Sequence, residues 1–310
     1  MVTLNARLRP VTGVLLALAL MIFGAPWSMS QVVSAQNQTL FISVTDADGE
    51  PVTGLEPDDL QVSWDDTVCE TLDLEPFNWP VRVTVFVDNG EGSRSALQHM
   101  REGLKLFVDA IPEEVEVALL TIGSQPRWIT RHTVDREELA GGIDLITPDA
   151  GSAARFLDAL IEEAGRLNDD EERQYFPVIV MVATDGPEGS TGLPRRLDEM
   201  LQRMVENSAT VHTRMLSTGD HFEALQVQVG VRVGEVTRGT YEALAIGNAF
   251  RTMLPELAQE IARKHTRVSN QYRLTYASPD GASAQPTIRI ALSDDYADAT
   301  MSPTLDGNLP

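Results

Sequence analysis

Apolar and polar positions along this chain fall into two repeating arrangements. Val83, Val85 and Val87 alternate with Thr84 and Phe86 in a short β-branched run that stops at Asp88-Asn89-Gly90, which predicts a strand ending in a polar turn. Leu97, Met100, Leu104 and Phe107 or Val108 then recur at three- and four-residue intervals, so a helix follows, with Ser93 or Ser95 as its cap. The same order continues. Residues 115–122 predict a strand, 134–146 a short helix, and 153–165 an amphipathic helix with Phe156, Leu157, Leu160 and Ile161 on one face. The continuous apolar run 178–183, bounded by Pro177 and Asp185-Gly186, predicts a central parallel strand buried on both faces. A helix at 197–205 and a strand at 210–216 come next. Residues 225–236 fit both periods; the helical reading is preferred because a helix is due at that point. The last helix, 249–264, has a stripe of Phe250, Met253, Leu254, Leu257 and Ile261, and Pro255 predicts a kink or a late start. This alternation implies an α/β fold with a doubly wound, mostly parallel sheet flanked by helices.

The flanks have a different pattern. Residues 40–45 alternate as a strand running into Asp46-Ala47-Asp48-Gly49, and a second short strand is predicted at 60–64. Asp46, Asp48 and Glu50 lack the remaining positions of a calcium loop and are taken as a solvated turn. Residues 72–80, with two prolines and no period, suggest a linker. Residues 271–276 and 287–292 suggest two antiparallel strands around Pro279-Asp280-Gly281, followed by a polar tail from 294 to 310. Each flank is too small to bury a core alone, so the two are expected to pair into one accessory β-module. The expected organisation is a β flank and linker over 36–80, the α/β domain over 81–265, and a C-terminal hairpin over 266–293.

The N-terminus adds a compartment. Arg7 and Arg9 precede an apolar run from Val14 to Ala25, Pro26, and a polar stretch ending Val33-Ser34-Ala35, the order of a secretory signal peptide cleaved after Ala35. An uncleaved membrane anchor is the competing reading, which the short apolar run and Pro26 argue against, so export to the periplasm or the medium is expected, with no membrane span once the leader is removed. Loss of those two arginines takes the formal charge from -22 to -24. Such a field repels phosphate backbones and anionic lipid, which argues against nucleic acid and membrane surfaces and favours cations or basic partners. Cys69 is the one cysteine and cannot form an intrachain disulfide. The five histidines, at 99, 132, 212, 221 and 265, show no metal-ligand spacing, and no Gly-x-Ser-x-Gly elbow occurs. Gly90-Glu91-Gly92 between strand and helix is superficially like a dinucleotide loop, but Ser95 replaces the third glycine and Glu91 would face the phosphate.

Taken together, LFISVTDADGEPVTGL, VRVTVFVDNGEGS, VIVMVATDG, GTYEAL with AFRTMLPELAQEIA, and NQYRLTYASPDG, in that order and spacing, resemble the von Willebrand factor A domain, specifically exported bacterial proteins carrying a VWFA-related domain. The resemblance implies a divalent-cation site at the top of the sheet, built in typical members from an Asp-x-Ser-x-Ser turn, a Thr from a second loop and an Asp from a third. Asp88 matches the first Asp, whereas Gly90 and Gly92 stand where the serines should be. Ser152, in Asp149-Ala150-Gly151-Ser152, matches the second loop, and Asp185 matches the third. The motif is thus degenerate, and Mg2+ or Ca2+ held by Asp88, Ser152, Asp185 and water is the form of the site that survives. The resemblance further implies a non-enzymatic interaction domain without a catalytic residue, meeting a protein partner through Asn89, Gly90, Glu91, Gly92, Ser93, Gly151 and Gly186. A purely structural envelope component with a dead metal site is the alternative, and a nucleotide-binding or hydrolytic enzyme ranks behind both.

Overall fold

The computed structural model describes residues 2–5, 37–192, 194–219, 224–279 and 287–309. The expected leader apart from residues 2–5, His221, and the Asp280-Gly281 turn lie outside the described residues. No helix among the described residues is long and apolar enough to cross a membrane. The chain divides into two compact units, residues 78–269 with 308–310, and residues 1–77 with 270–307.

The first unit is the α/β domain. Its elements are β1 (Val81–Val87), α1 (Leu97–Ala110), β2 (Val117–Thr121), β3 (Arg127–Thr133), α2 (Arg136–Leu145), α3 (Phe156–Asp169), β4 (Phe176–Thr184), α4 (Pro194–Glu206), β5 (Thr210–Leu216), α5 (Leu225–Val236), β6 (Tyr241–Leu244) and α6 (Phe250–Val268). The six strands lie in the order β6-β5-β4-β1-β2-β3, all parallel except β3, which runs antiparallel to β2. Every residue of β4 is buried, as its unbroken apolar run requires for a strand with helices on both faces. Helix α1 buries Leu97, Met100, Leu104, Phe107 and Val108, the predicted stripe. It approaches α6 so closely at Gly103 that a side-chain carbon there would stand 2.5 Å from the carbonyl oxygen of Phe250. Residues 225–236 are helical, burying Val229 and Val233 with Gly230 and Gly234. Neither Ser93 nor Ser95 caps α1: a 3-10 turn over Glu91–Ser93 leads to Ala96 at the cap position, with no side-chain bond there.

A polar network runs through this unit. The Thr84 hydroxyl donates to Glu163 Oε1 at 3.0 Å and lies 3.1 Å from His132 Nε2, while Glu163 Oε2 is bridged by Arg166 at 2.6 Å. The hydroxyl's one proton goes to Glu163, so the threonine oxygen is left to accept from His132. Burial first, then Arg82, Arg166 and Arg131, push the His132 pKa down to about 3. Thr84 is buried in the sheet at 4% exposure, so its hydroxyl serves this internal network and does not face solvent.

The second unit holds two antiparallel four-stranded sheets. One has Val2–Asn5, Thr287–Leu292, Leu60–Trp64 and Thr67–Val68 in that order; the other has Thr300–Thr304, Asn37–Thr45, Gln271–Ala277 and Thr71–Phe77. Leu40, Ile42, Val44, Val62, Trp64, Leu274, Ile288 and Ile290 form their shared core. The Tyr272 hydroxyl spans it, accepting from Leu55 N at 3.1 Å and donating to Val52 O at 3.3 Å. Three expectations are corrected here. Strands 271–277 and 287–292 do not pair as a hairpin; they belong to different sheets. Residues 72–77 of the expected linker lie in an outer strand, Thr71–Phe77, in which Pro76 is tolerated because an edge position leaves one side of the backbone unpaired. Residues 300–304, expected as polar tail, form the opposite edge, with Met301 as the one buried side chain.

Candidate functional site

The winding of the parallel sheet reverses between β1 and β4, so the loops leaving their carboxyl ends part there and leave the crevice where open α/β sheets bind ligands. Asp88 follows β1 and Asp185 follows β4. The Asp88 carboxylate is 1% exposed. Its Oδ1 accepts Gly90 N at 2.8 Å, and its Oδ2 accepts the Thr184 hydroxyl at 2.7 Å and Thr184 N at 3.3 Å. Burial raises its pKa, and these bonds from Thr184 and Gly90 offset part of the rise.

Next in the chain, Asn89 is a brace. Its Oδ1 accepts Gly123 N and its Nδ2 donates to Thr147 O, both at 2.9 Å, so the side chain ties the β1 loop to the loops after β2 and α2. Gly90 and Gly92 have no room for substitution. A side-chain carbon on Gly90 would lie 3.0 Å from Ser152 O, and one on Gly92 would lie 2.9 Å from Thr184 Oγ1 and 3.0 Å from the Gly186 Cα. Glu91 turns outward, and its Oε2 accepts Gly151 N at 3.0 Å while its own N donates to Ser152 O at 2.9 Å. Ser93 is fully buried and donates to Gly90 O at 2.9 Å.

The remaining predicted residues are engaged elsewhere. The Ser152 hydroxyl donates to Asp149 O at 2.7 Å. Asp185, 4% exposed, accepts Thr218 N at 2.6 Å and Thr218 Oγ1 at 2.5 Å on Oδ1, and Ser217 Oγ at 3.1 Å on Oδ2, pinning the turn after β5. Asp149 accepts Ser124 Oγ at 2.6 Å and Ser124 N at 3.1 Å, and these bonds hold its pKa down. Among the described residues, no group of three or more His, Cys, Asp or Glu is placed to hold a metal ion.

Thr184, Glu188 and Gln226 carry as much of this arrangement as the residues singled out by motif. Glu188 Oε1 accepts Ser190 N at 2.8 Å and its Oε2 accepts Phe156 N at 3.3 Å, and burial raises its pKa. Gln226 Nε2 donates to Gly186 O at 2.6 Å. Thr184 is visible in the sequence as the residue before Asp185, but nothing there says that its hydroxyl faces Asp88. The exposed rim of the loops consists of Glu91, Arg94, Ala150, Gly151 and Pro187, whereas Asn89, Gly90 and Ser93, expected to face a partner, point inward. A polar cleft of about 290 Å³ opens beside Asn89 and Asp149, walled by Ser124, Arg127 and Thr147.

Among solved structures, the chain is similar to a von Willebrand factor type A protein from Catenulispora acidiphila, at TM-score 0.50 and 12% identity over 88% of this chain and 74% of that one. It is also similar to the conserved hypothetical protein BatB from Bacteroides thetaiotaomicron, at TM-score 0.46 and 14% identity over 59% of this chain and 99% of that one. An aerotolerance-related membrane protein from Bacteroides fragilis matches at TM-score 0.43 and 14% identity, over 58% and 99%. No family model and no curated protein sequence matches the chain.

Proposed function

From a chain whose α/β unit has the von Willebrand factor A-like fold, we propose a non-enzymatic, exported interaction protein that takes a protein partner on the loops 88–93, 151–152 and 185–190. One observation carries the reading. These loops stand at the switch point and are bonded to one another, Glu91 N to Ser152 O at 2.9 Å, Ala154 N to Pro187 O at 2.9 Å and Gly189 N to Ala154 O at 2.6 Å, so they offer one set surface. A preordered surface loses little conformational entropy on docking, which favours recognition by shape and rim charge. The inward engagement of Asp88 and Asp185 supports a binding role over a hydrolytic one.

The test is site-specific photo-crosslinking in the native envelope, with the crosslinker at Glu91 on the loops or at Glu172, in the connection entering the opposite end of β4. An adduct of defined mass from position 91 and not from position 172 is the expected result. Equal labelling from both positions would overturn the loop assignment. Hydrolysis of ester, peptide or phosphate substrates by purified protein, lost on Asp88→Ala, would overturn the non-enzymatic reading.

A further inference from the structure

We infer that the loops at the head of β1 and β4 close on themselves without an ion: the Thr184 hydroxyl takes the place at Asp88 that a divalent cation takes in typical von Willebrand factor A domains, and Gly92 packed on Gly186 fills the space that the ion's other ligands need. A hard cation requires several oxygens at roughly 2.0–2.6 Å around one open point, each with a lone pair aimed at it. Here the lone pairs are aimed elsewhere. Asp88 already accepts from Gly90 N, Thr184 N and Thr184 Oγ1, three bonds against the roughly four that a carboxylate can take. The Thr184 proton points at that carboxylate, so its hydroxyl acts as a donor to Asp88 where an ion would need it as a ligand. Ser152 Oγ is committed to Asp149 O and Asp185 Oδ1 to Thr218 N and Oγ1, while Asp185 Oδ2 faces Ser217 Oγ at 3.1 Å, whose one proton Gly219 O also draws at 3.0 Å.

The glycines make the closure steric as well as electrostatic. A side-chain carbon on Gly186 would lie 2.8 Å from the Gly92 Cα, closer than side-chain carbons approach other atoms in proteins. The two loops touch backbone to backbone. A serine at position 92 would have to push Thr184 away from Asp88 before its hydroxyl could reach any ion, so restoring the family's residue would break this contact before it built a metal site. Gln226 holds the same closure from behind through Gly186 O. None of this depends on whether the loops dock a partner.

The experiment is calorimetric titration of MgCl2, CaCl2 and MnCl2 into the chelator-stripped full chain, with thermal melting of the wild type, Thr184→Val, Thr184→Ser and Gly92→Ser. No saturable heat is expected from any ion, and the Tm should be the same with millimolar cation as with chelator. Thr184→Val should lower the Tm by about 3–9 °C, the loss that follows from leaving a buried carboxylate one bond short in a domain of this size. Thr184→Ser keeps the hydroxyl and should recover most of that loss. Gly92→Ser should lower the Tm and gain no cation response. Saturable binding that Asp88→Asn abolishes would overturn the inference, as would a Thr184→Val protein that melts with the wild type.

Discussion

Acidification should weaken the α/β unit through His212, and the size of the effect can be worked out. His212 is 3% exposed on β5, and its Nδ1 lies 2.9 Å from Thr240 Oγ1, which also accepts Arg214 Nη1 at 3.0 Å. A hydroxyl that accepts from a guanidinium has its proton free to give, which suits Nδ1 of a neutral ring as the acceptor. Burial first, then the positive charges of Arg214 and Lys264, bring the pKa down to about 3. Glu242 pairs with Arg214 at 3.4 Å, and Glu260 lines the same cleft as His212. The unfolded chain titrates near the ordinary histidine value of about 6.5 and therefore binds the proton first as pH falls. The stabilisation from a neutral His212 is thus complete above about pH 6.5 and is lost by roughly 1.4 kcal/mol per unit below it, or about 2 kcal/mol by pH 5.

Asp88 and Glu188, whose pKa values are raised, act in the opposite sense, so the quantity to measure is a difference between proteins. Urea unfolding of wild type and His212→Gln, followed at several values between about pH 5 and pH 7, supplies it. The variant should be less stable at neutral pH, and the gap should close by about 2 kcal/mol on acidification. Parallel pH profiles would show that His212 is not the group responsible and would sink the argument.

Three further outcomes are expected. Gly103→Ala forces α1 off the Phe250 carbonyl and should cost about 1–3 kcal/mol despite its better helix propensity, read by denaturant unfolding. Thr84→Val leaves both Glu163 and His132 a bond short in a buried setting and should cost about 1–3 kcal/mol in the same assay. Asp135→Ala removes the cap that accepts Glu137 N and Glu138 N at the start of α2; about 1 kcal/mol should be lost, with faster hydrogen exchange at those two amides.

The α/β order was legible because its strands are buried on both faces and its helices on one, so hydrophobic period and element type coincide at 81–87, 176–184 and 250–268. Two of its strands were not legible. Arg127–Thr133 is an edge strand of arginines and threonines around Trp128, and Tyr241–Leu244 is only four residues long, so neither leaves an apolar period to read. Sequence also located Asp88 and Asp185, which a strand-turn pattern marks. It could not show where their oxygens turn, because that depends on Thr184 and Thr218, hydroxyls that become partners only when distant segments meet. The hairpin expected over 271–292 failed for a related reason: alternation tells a strand from a helix but does not say which sheet the strand joins.

Among the described residues, the strand Asn37–Thr45 is flanked in its sheet by Gln271–Ala277 and Thr300–Thr304, apart from a local bridge of its end to Pro51, so its sheet partners are synthesised last. The α/β unit, contiguous over 78–269 apart from its closing residues 308–310, can form most of its structure once residue 269 is made, while one of the first strands made waits through the whole of that synthesis. During that interval its alternating Leu40, Ile42 and Val44 have no cover, and both of its backbone edges are open to pairing with another chain. Chains interrupted before residue 271 should therefore carry an α/β unit lacking only its closing residues 308–310 and a sticky leading segment, which sets folding of the α/β unit and solubility of the whole on different clocks.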